Sequence, residues 1–161
     1  MKNYFLILCA VLLLTGCKSK SKVAEAAEIP EASEFSVVDP TEVNAAQKKK
    51  AYELGKRVLM TCNTSRFKPF TASEATEKVI QNTTQERLTK TCHTFRLKYG
   101  DFKDLQLVEV LRPKDNSSTI YRYKALYEKK IANKELRVTM DSANKISALK
   151  STDWVEEFKP L

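Results

Sequence analysis

At Gly100 the hydrophobic period of the chain changes from about 3.6 to 2, and no other feature restricts its possible folds as strongly. Before that point Ala51, Leu54, Val58 and Cys62 recur every three or four residues, which predicts a helix over residues 48–61. Gly55 inside it costs about 1 kcal/mol relative to alanine and lets another segment pack close. A loop with Pro69 comes next, over residues 64–70. Thr71-Ala72-Ser73-Glu74 is a capping-box pattern that predicts a short helix to residue 81, and Thr83-Thr84-Gln85-Glu86 repeats it. The next helix carries Leu88, Cys92, Phe95 and Tyr99 and stops at Gly100.

After Gly100 the texture is that of strands. Residues 103–112 hold Leu105, Leu107, Val108, Val110 and Leu111 and end at Pro113. Residues 119–128 place Tyr121, Tyr123, Ala125 and Tyr127 on one face and Arg122 and Lys124 on the other. Residues 135–141 alternate through Leu136, Val138 and Met140, and residues 145–149 close the run. Turn clusters at 114–118, 131–133 and 142–144 leave only short connections, which implies an antiparallel meander. Helices first and a sheet afterwards predict an α+β domain: N-terminal helices packed on a curved antiparallel sheet of about four strands.

The N-terminus has a separate logic. Lys2 precedes an uncharged apolar run over residues 4–14, too short for the roughly 20 residues of a bilayer span. The run ends in Leu14-Thr15-Gly16-Cys17, which resembles the lipobox of bacterial lipoproteins. The resemblance implies that residues 1–16 are a signal peptide and that Cys17 is lipidated as the first mature residue. Two or three acyl chains, at about 0.8 kcal/mol per buried methylene, hold a protein on a bilayer where one chain holds it only marginally. Lys18 stands where an Asp would resemble an inner-membrane retention signal. The expected address is therefore the outer membrane, facing the periplasm.

Residues 17–47 read as a lipidated cysteine followed by a disordered tether, rich in Ala, Glu, Ser and Lys and broken by Pro30 and Pro40. Charge is divided in the same way. Glu25, Glu28, Glu31, Glu34, Asp39 and Glu42 lie between Val23 and Gln47 without a Lys or Arg. From Lys48 onward, 24 basic and 14 acidic residues leave a net +10. The domain, residues 48–161, is a cationic body on an anionic stalk. Such a body suits anionic partners such as an envelope protein or an anionic envelope polymer; the lipid bilayer is a separate expected partner, engaged through acylated Cys17. No RNP motif or paired zinc ligands are present, and export argues against nucleic acid. The oligomeric state is open.

Tyr121-Arg122-Tyr123-Lys124-Ala125-Leu126-Tyr127 and the segment from Leu136 to Ile146, after three helices, resemble a nuclear-transport-factor-2-like domain of the small secreted or lipid-anchored kind. A cystatin-like helix-on-sheet domain is the alternative. Enzymes of the first superfamily place an acid or base beside tyrosines in a cavity between sheet and helices. The resemblance therefore makes Glu109 a candidate catalytic base, since it shares parity with Leu105, Leu107 and Leu111, unless a bulge swaps its face. Tyr121, Tyr123 and Tyr127 would line the pocket. Burial would raise the Glu109 pKa toward that of a working base.

Cys62 and Cys92 are the cysteines left after Cys9 is removed and Cys17 is acylated. In an oxidising compartment such a pair suggests a disulfide, with two buried free thiols as the alternative. His93, the single histidine, points away from Cys92, because adjacent helical residues diverge by about 100°. No spacing calls for a metal, and nothing calls for a cofactor. Three functions stay open: a small binding or interaction domain, a small cavity enzyme of isomerase or hydrolase type, and a structural accessory for anionic polymers.

Overall fold

The computed structural model of the protein describes residues 34–160. The expected signal peptide over 1–16, the lipidation of Cys17 and the tether up to residue 33 lie outside the described residues. The first described element is a strand within the stretch assigned to the tether: β1 (Phe35–Val38). It pairs antiparallel with the end of a long strand, β2 (Phe102–Pro113), in the register Phe35 to Pro113 and Val38 to Val110. Its two-residue alternation sends Val38 into the core and leaves Val37 exposed.

Helix α1 (Ala45–Thr64) begins three residues earlier than its apolar period suggests, because the Asn44 side chain accepts a hydrogen bond from Gln47 N at 3.0 Å. Ala51, Leu54, Gly55 and Val58 form its buried stripe. A Cβ on Gly55 would stand 3.0 Å from Leu136 Cδ2 and 3.1 Å from Val138 Cγ2, so this glycine sets how closely the helix approaches the sheet. Asn63, near the helix end, pairs with both backbone groups of Phe102 (2.8 and 2.9 Å) and ties α1 to the start of β2.

Glu74 does bond back to Thr71 N at 2.9 Å, as a capping box requires, yet no helix starts there. The chain turns instead, and Ala75 makes a parallel bridge to Ile146. Only then comes the six-residue helix α2 (Glu77–Asn82). Arg57 of α1 holds both Glu74 carboxylate oxygens, at 2.7 and 3.0 Å, so the same carboxylate serves tertiary structure. Helix α3 (Gln85–Tyr99) is capped by Thr84 and ends at Gly100, whose positive φ of 75° breaks the helix.

Strands β3 (Ser118–Tyr127), β4 (Lys134–Asp141) and β5 (Ile146–Asp153) complete an open antiparallel sheet in the order β1-β2-β3-β4-β5. The domain is α+β, with five strands where the sequence pattern suggests four. One face of the sheet packs under α1, and its core includes Leu105, Tyr121, Tyr123, Leu136, Val138 and Met140. Helix α3 packs on α1.

Candidate functional site

Alternate residues of β3 face opposite sides of the sheet, and each side carries a different set of polar groups. Tyr121, Tyr123 and Tyr127 all face the helices, but they do not form one pocket. Tyr121 donates its hydroxyl proton to Gln47 Oε1 at 2.9 Å, and burial pushes its pKa up to about 12. Tyr127 packs among Phe95, Tyr99 and Phe102, with ring centroids 5.6 to 6.3 Å apart; burial again raises its pKa to about 12. Tyr123 is 1% exposed, and its hydroxyl has no hydrogen-bond partner among the described residues. Burial pushes that phenol well above its ordinary value.

Glu109 is not beside these tyrosines. The pairing of β2 with β3 slips between Leu107 and Glu109: Leu107 pairs with Tyr123 and Glu109 with Arg122. Val108 is the extra residue, and a bulge reverses the facing of the residues beyond it. Simple parity would put Glu109 with Leu107 on the helix side. The bulge turns it to the outer face, where Arg122 Nη1 donates to Glu109 Oε2 at 3.1 Å. A base for the tyrosine side would have to come from elsewhere.

Cys62 and Cys92 are joined in a disulfide with Cα atoms 4.6 Å apart, linking α1 to α3. His93 is exposed and faces away from the interior, toward a groove it shares with Arg96. Beside the disulfide lies a hollow of about 210 Å³ between helices and sheet, lined by Val58, Leu59, Leu88, Phe95, Leu136 and Leu149. No carboxylate and none of the three tyrosines lines it.

Tyr123 instead forms part of a cleft on the other side of α1. Strand β1 covers only residues 110–113 of β2, so the preceding part of β2 runs beside α1 with no strand at its edge. Ala45, Lys48, Lys49 and Tyr52, spaced for one helix face, make one wall. Leu105 and Leu107 make the other, and the cleft measures about 340 Å³. Its far end is fixed by polar contacts: Tyr52 donates to Asp104 Oδ1 at 2.6 Å, and Lys56 reaches both groups at 2.9 Å. The Tyr52 hydroxyl, with Lys56, holds the Asp104 carboxyl down at about 2.

The outer face carries what sequence reasoning missed. Alternation along β3 puts Arg122 on the solvent side, yet it is 1% exposed. Its Nε donates to Glu135 Oε2 at 2.8 Å, and Arg137 Nε donates to the other oxygen of the same fully buried carboxylate. Residues 154–160 lie across this face as a strap. The carbonyls of Val155 and Glu156 accept from Arg122, and that of Lys159 accepts from Arg137 at 2.6 Å. Trp154 and Phe158 stack over the two guanidiniums, 4.2 and 4.5 Å from the ring centroids. The sequence signal was a tryptophan and a phenylalanine in a C-terminus otherwise rich in charged residues.

Comparison with known protein families, with curated proteins and with solved structures returns no match for this chain. Among the described residues, no helix is long and apolar enough to cross a membrane. No group of three or more His, Cys, Asp or Glu side chains among them is placed to hold a metal ion.

Proposed function

We propose that this chain is a lipid-anchored envelope protein whose folded domain is a binding module. The observation that carries the second half is the division of polar groups between the two faces of the sheet. Glu109 is paired with Arg122 on the outer face, while Tyr121 and Tyr123 lie on the inner one. General acid–base chemistry needs a titrating group within hydrogen-bond reach of the reacting atom; the inner hollow offers no carboxylate or histidine, and the carboxylate at the end of the Tyr123 cleft, Asp104, is already bonded by Tyr52 and Lys56. An apolar cleft with a few polar groups is what a binding site requires.

The first half rests on Leu14-Thr15-Gly16-Cys17 and is supported by the Cys62–Cys92 disulfide, since such bridges persist in oxidising compartments. Acyl chains on Cys17 would hold the domain at the outer membrane, on its periplasmic side. Helices followed by a meander support reading the domain as nuclear-transport-factor-2-like; a cystatin-like domain is the alternative. Labelling of cells with radioactive palmitate, followed by fractionation, tests the anchor. The protein should take up label and sediment with membranes, and Cys17→Ser should take up none. An unlabelled wild-type protein overturns the anchor.

A second reading, an accessory that holds an anionic envelope polymer, is favoured by the net +10 from Lys48 onward. Its binding should weaken with salt and with reversal of the exposed Lys129 and Lys130. Binding unchanged by either rules it out.

A further inference from the structure

Two features of the α1–β2 cleft point to the chemistry of an occupant. The first is the division of its lining. Leu105, Leu107 and the ring of Tyr52 make an apolar trough, whereas Lys48 and Lys49 bring two positive charges to the same helix face. Each lysine has an acidic neighbour, Asp39 for Lys48 and Glu53 for Lys49, but neither is held in a tight ion pair. Lys48 Nζ donates to the carbonyl of Pro40 at 2.8 Å, and Lys49 approaches Glu53 only to 3.9 Å, with both side chains mostly exposed. Exposed pairs of that kind contribute little, so the positive potential stays available to an anion.

The second feature is Tyr123. Its hydroxyl is a buried donor without an acceptor in a protein whose other core tyrosine under α1, Tyr121, is bonded to Gln47. Buried polar groups are nearly always paired, and an unpaired one lowers the stability of the state that contains it. An oxygen atom delivered by a ligand would pair it. The volume of about 340 Å³ lies in the range of small-ligand sites, roughly 300–1,000 Å³.

We propose that this cleft binds an anionic amphiphile: an acyl chain along Leu105 and Leu107, a negatively charged head beside Lys48 and Lys49, and a head-group oxygen accepting from Tyr123. The inference rests on the binding-module reading and gives that module its ligand class. A free fatty acid and a lysophospholipid share this chemistry.

The test uses the full-length lipoprotein in phosphatidylcholine nanodiscs, with two photoactivatable probes, a diazirine fatty acid and a diazirine lysophospholipid carrying a net negative head. Cross-linked peptides are mapped by mass spectrometry. Saturable labelling of the peptide holding Leu105 and Leu107 is expected, displaced by the unlabelled compound. Labelling by one probe alone identifies the source. Labelling by neither, or only near the anchor, overturns the proposal without touching the palmitate test of anchoring.

Lys48→Glu with Lys49→Glu should cut cleft labelling about ten-fold, whereas Lys129→Glu with Lys130→Glu should leave it unchanged. Equal loss in both pairs would mean that bulk charge governs binding, and the cleft would then be no specific site. Tyr123→Phe separates binding from packing. It should weaken labelling by about three- to ten-fold, the usual yield of one hydrogen bond, while the empty protein melts at the same temperature or higher. A lowered melting temperature would show that the hydroxyl already has a partner, which contradicts the proposal.

Discussion

Glu135 is the residue on which the outer face depends. It is fully buried on β4, with Arg122, Arg137 and Thr152 all donating to its two oxygens. Assembling such a group requires stripping water from three charges, so the cluster contributes little net stability and a great deal of positional definition. Removing one member is another matter. Glu135→Ala leaves two buried guanidiniums facing each other, and should cost about 3–5 kcal/mol in urea unfolding. A loss below about 1 kcal/mol would mean that the strap and water replace the carboxylate. None of this was legible in the strand pattern. Alternation correctly separates Arg122 from Tyr121 and Tyr123, but cannot reveal that the polar side of β3 is covered by a segment more than 30 residues downstream.

At the scale of elements, α3 shows how a weakly apolar helix is kept in place. Only Cys92 and Tyr99 of its residues are buried, and its principal neighbour is α1. The Cys62–Cys92 bridge closes a span of 30 residues, which in the chain-entropy treatment stabilises by about 3.5 kcal/mol. Replacing both cysteines by alanine should lower stability by about that amount. Hydrogen exchange should show the loss concentrated in α3, with β3 and β4 protected until global unfolding. Uniform loss of protection would contradict the view that α3 is held mainly by the bridge. Both cysteines were readable as a pair from the sequence, because they sit on apolar helix faces and the other two cysteines belong to the N-terminal segment. The bulge at Val108 was not readable. A bulge is a mismatch between two strands, and only the pairing of Leu107 with Tyr123 and Glu109 with Arg122 exposes it.

For the molecule as a whole, acid stability is set by carboxylates that hold segments together. Glu74 joins α1 to the turn before α2, and hydrogen bonds from Arg57 chiefly hold its pKa at about 2 instead of 4.5. Asp104, bonded by Tyr52 and Lys56, is held at about 2 instead of 3.8. Groups with depressed folded-state values stabilise fully above their unfolded values and lose that contribution as pH falls through the folded ones. Stability should therefore decline between about pH 4.5 and 2, and Glu74→Gln should make that decline shallower. An identical pH profile for the variant would show that Arg57–Glu74 takes no part. Sequence alone determined the order of helices and strands from α1 onward and the facing of the three tyrosines, and it marked Cys62 and Cys92 as a candidate pair, because local periodicity and residue chemistry carry that information over a few residues at a time. Tertiary structure decided the fifth strand from Phe35–Val38, the turning of Glu109 and the burial of Arg122 and Arg137. Each depends on contact between segments far apart in the chain, and the energy of such contacts is not encoded in any single stretch.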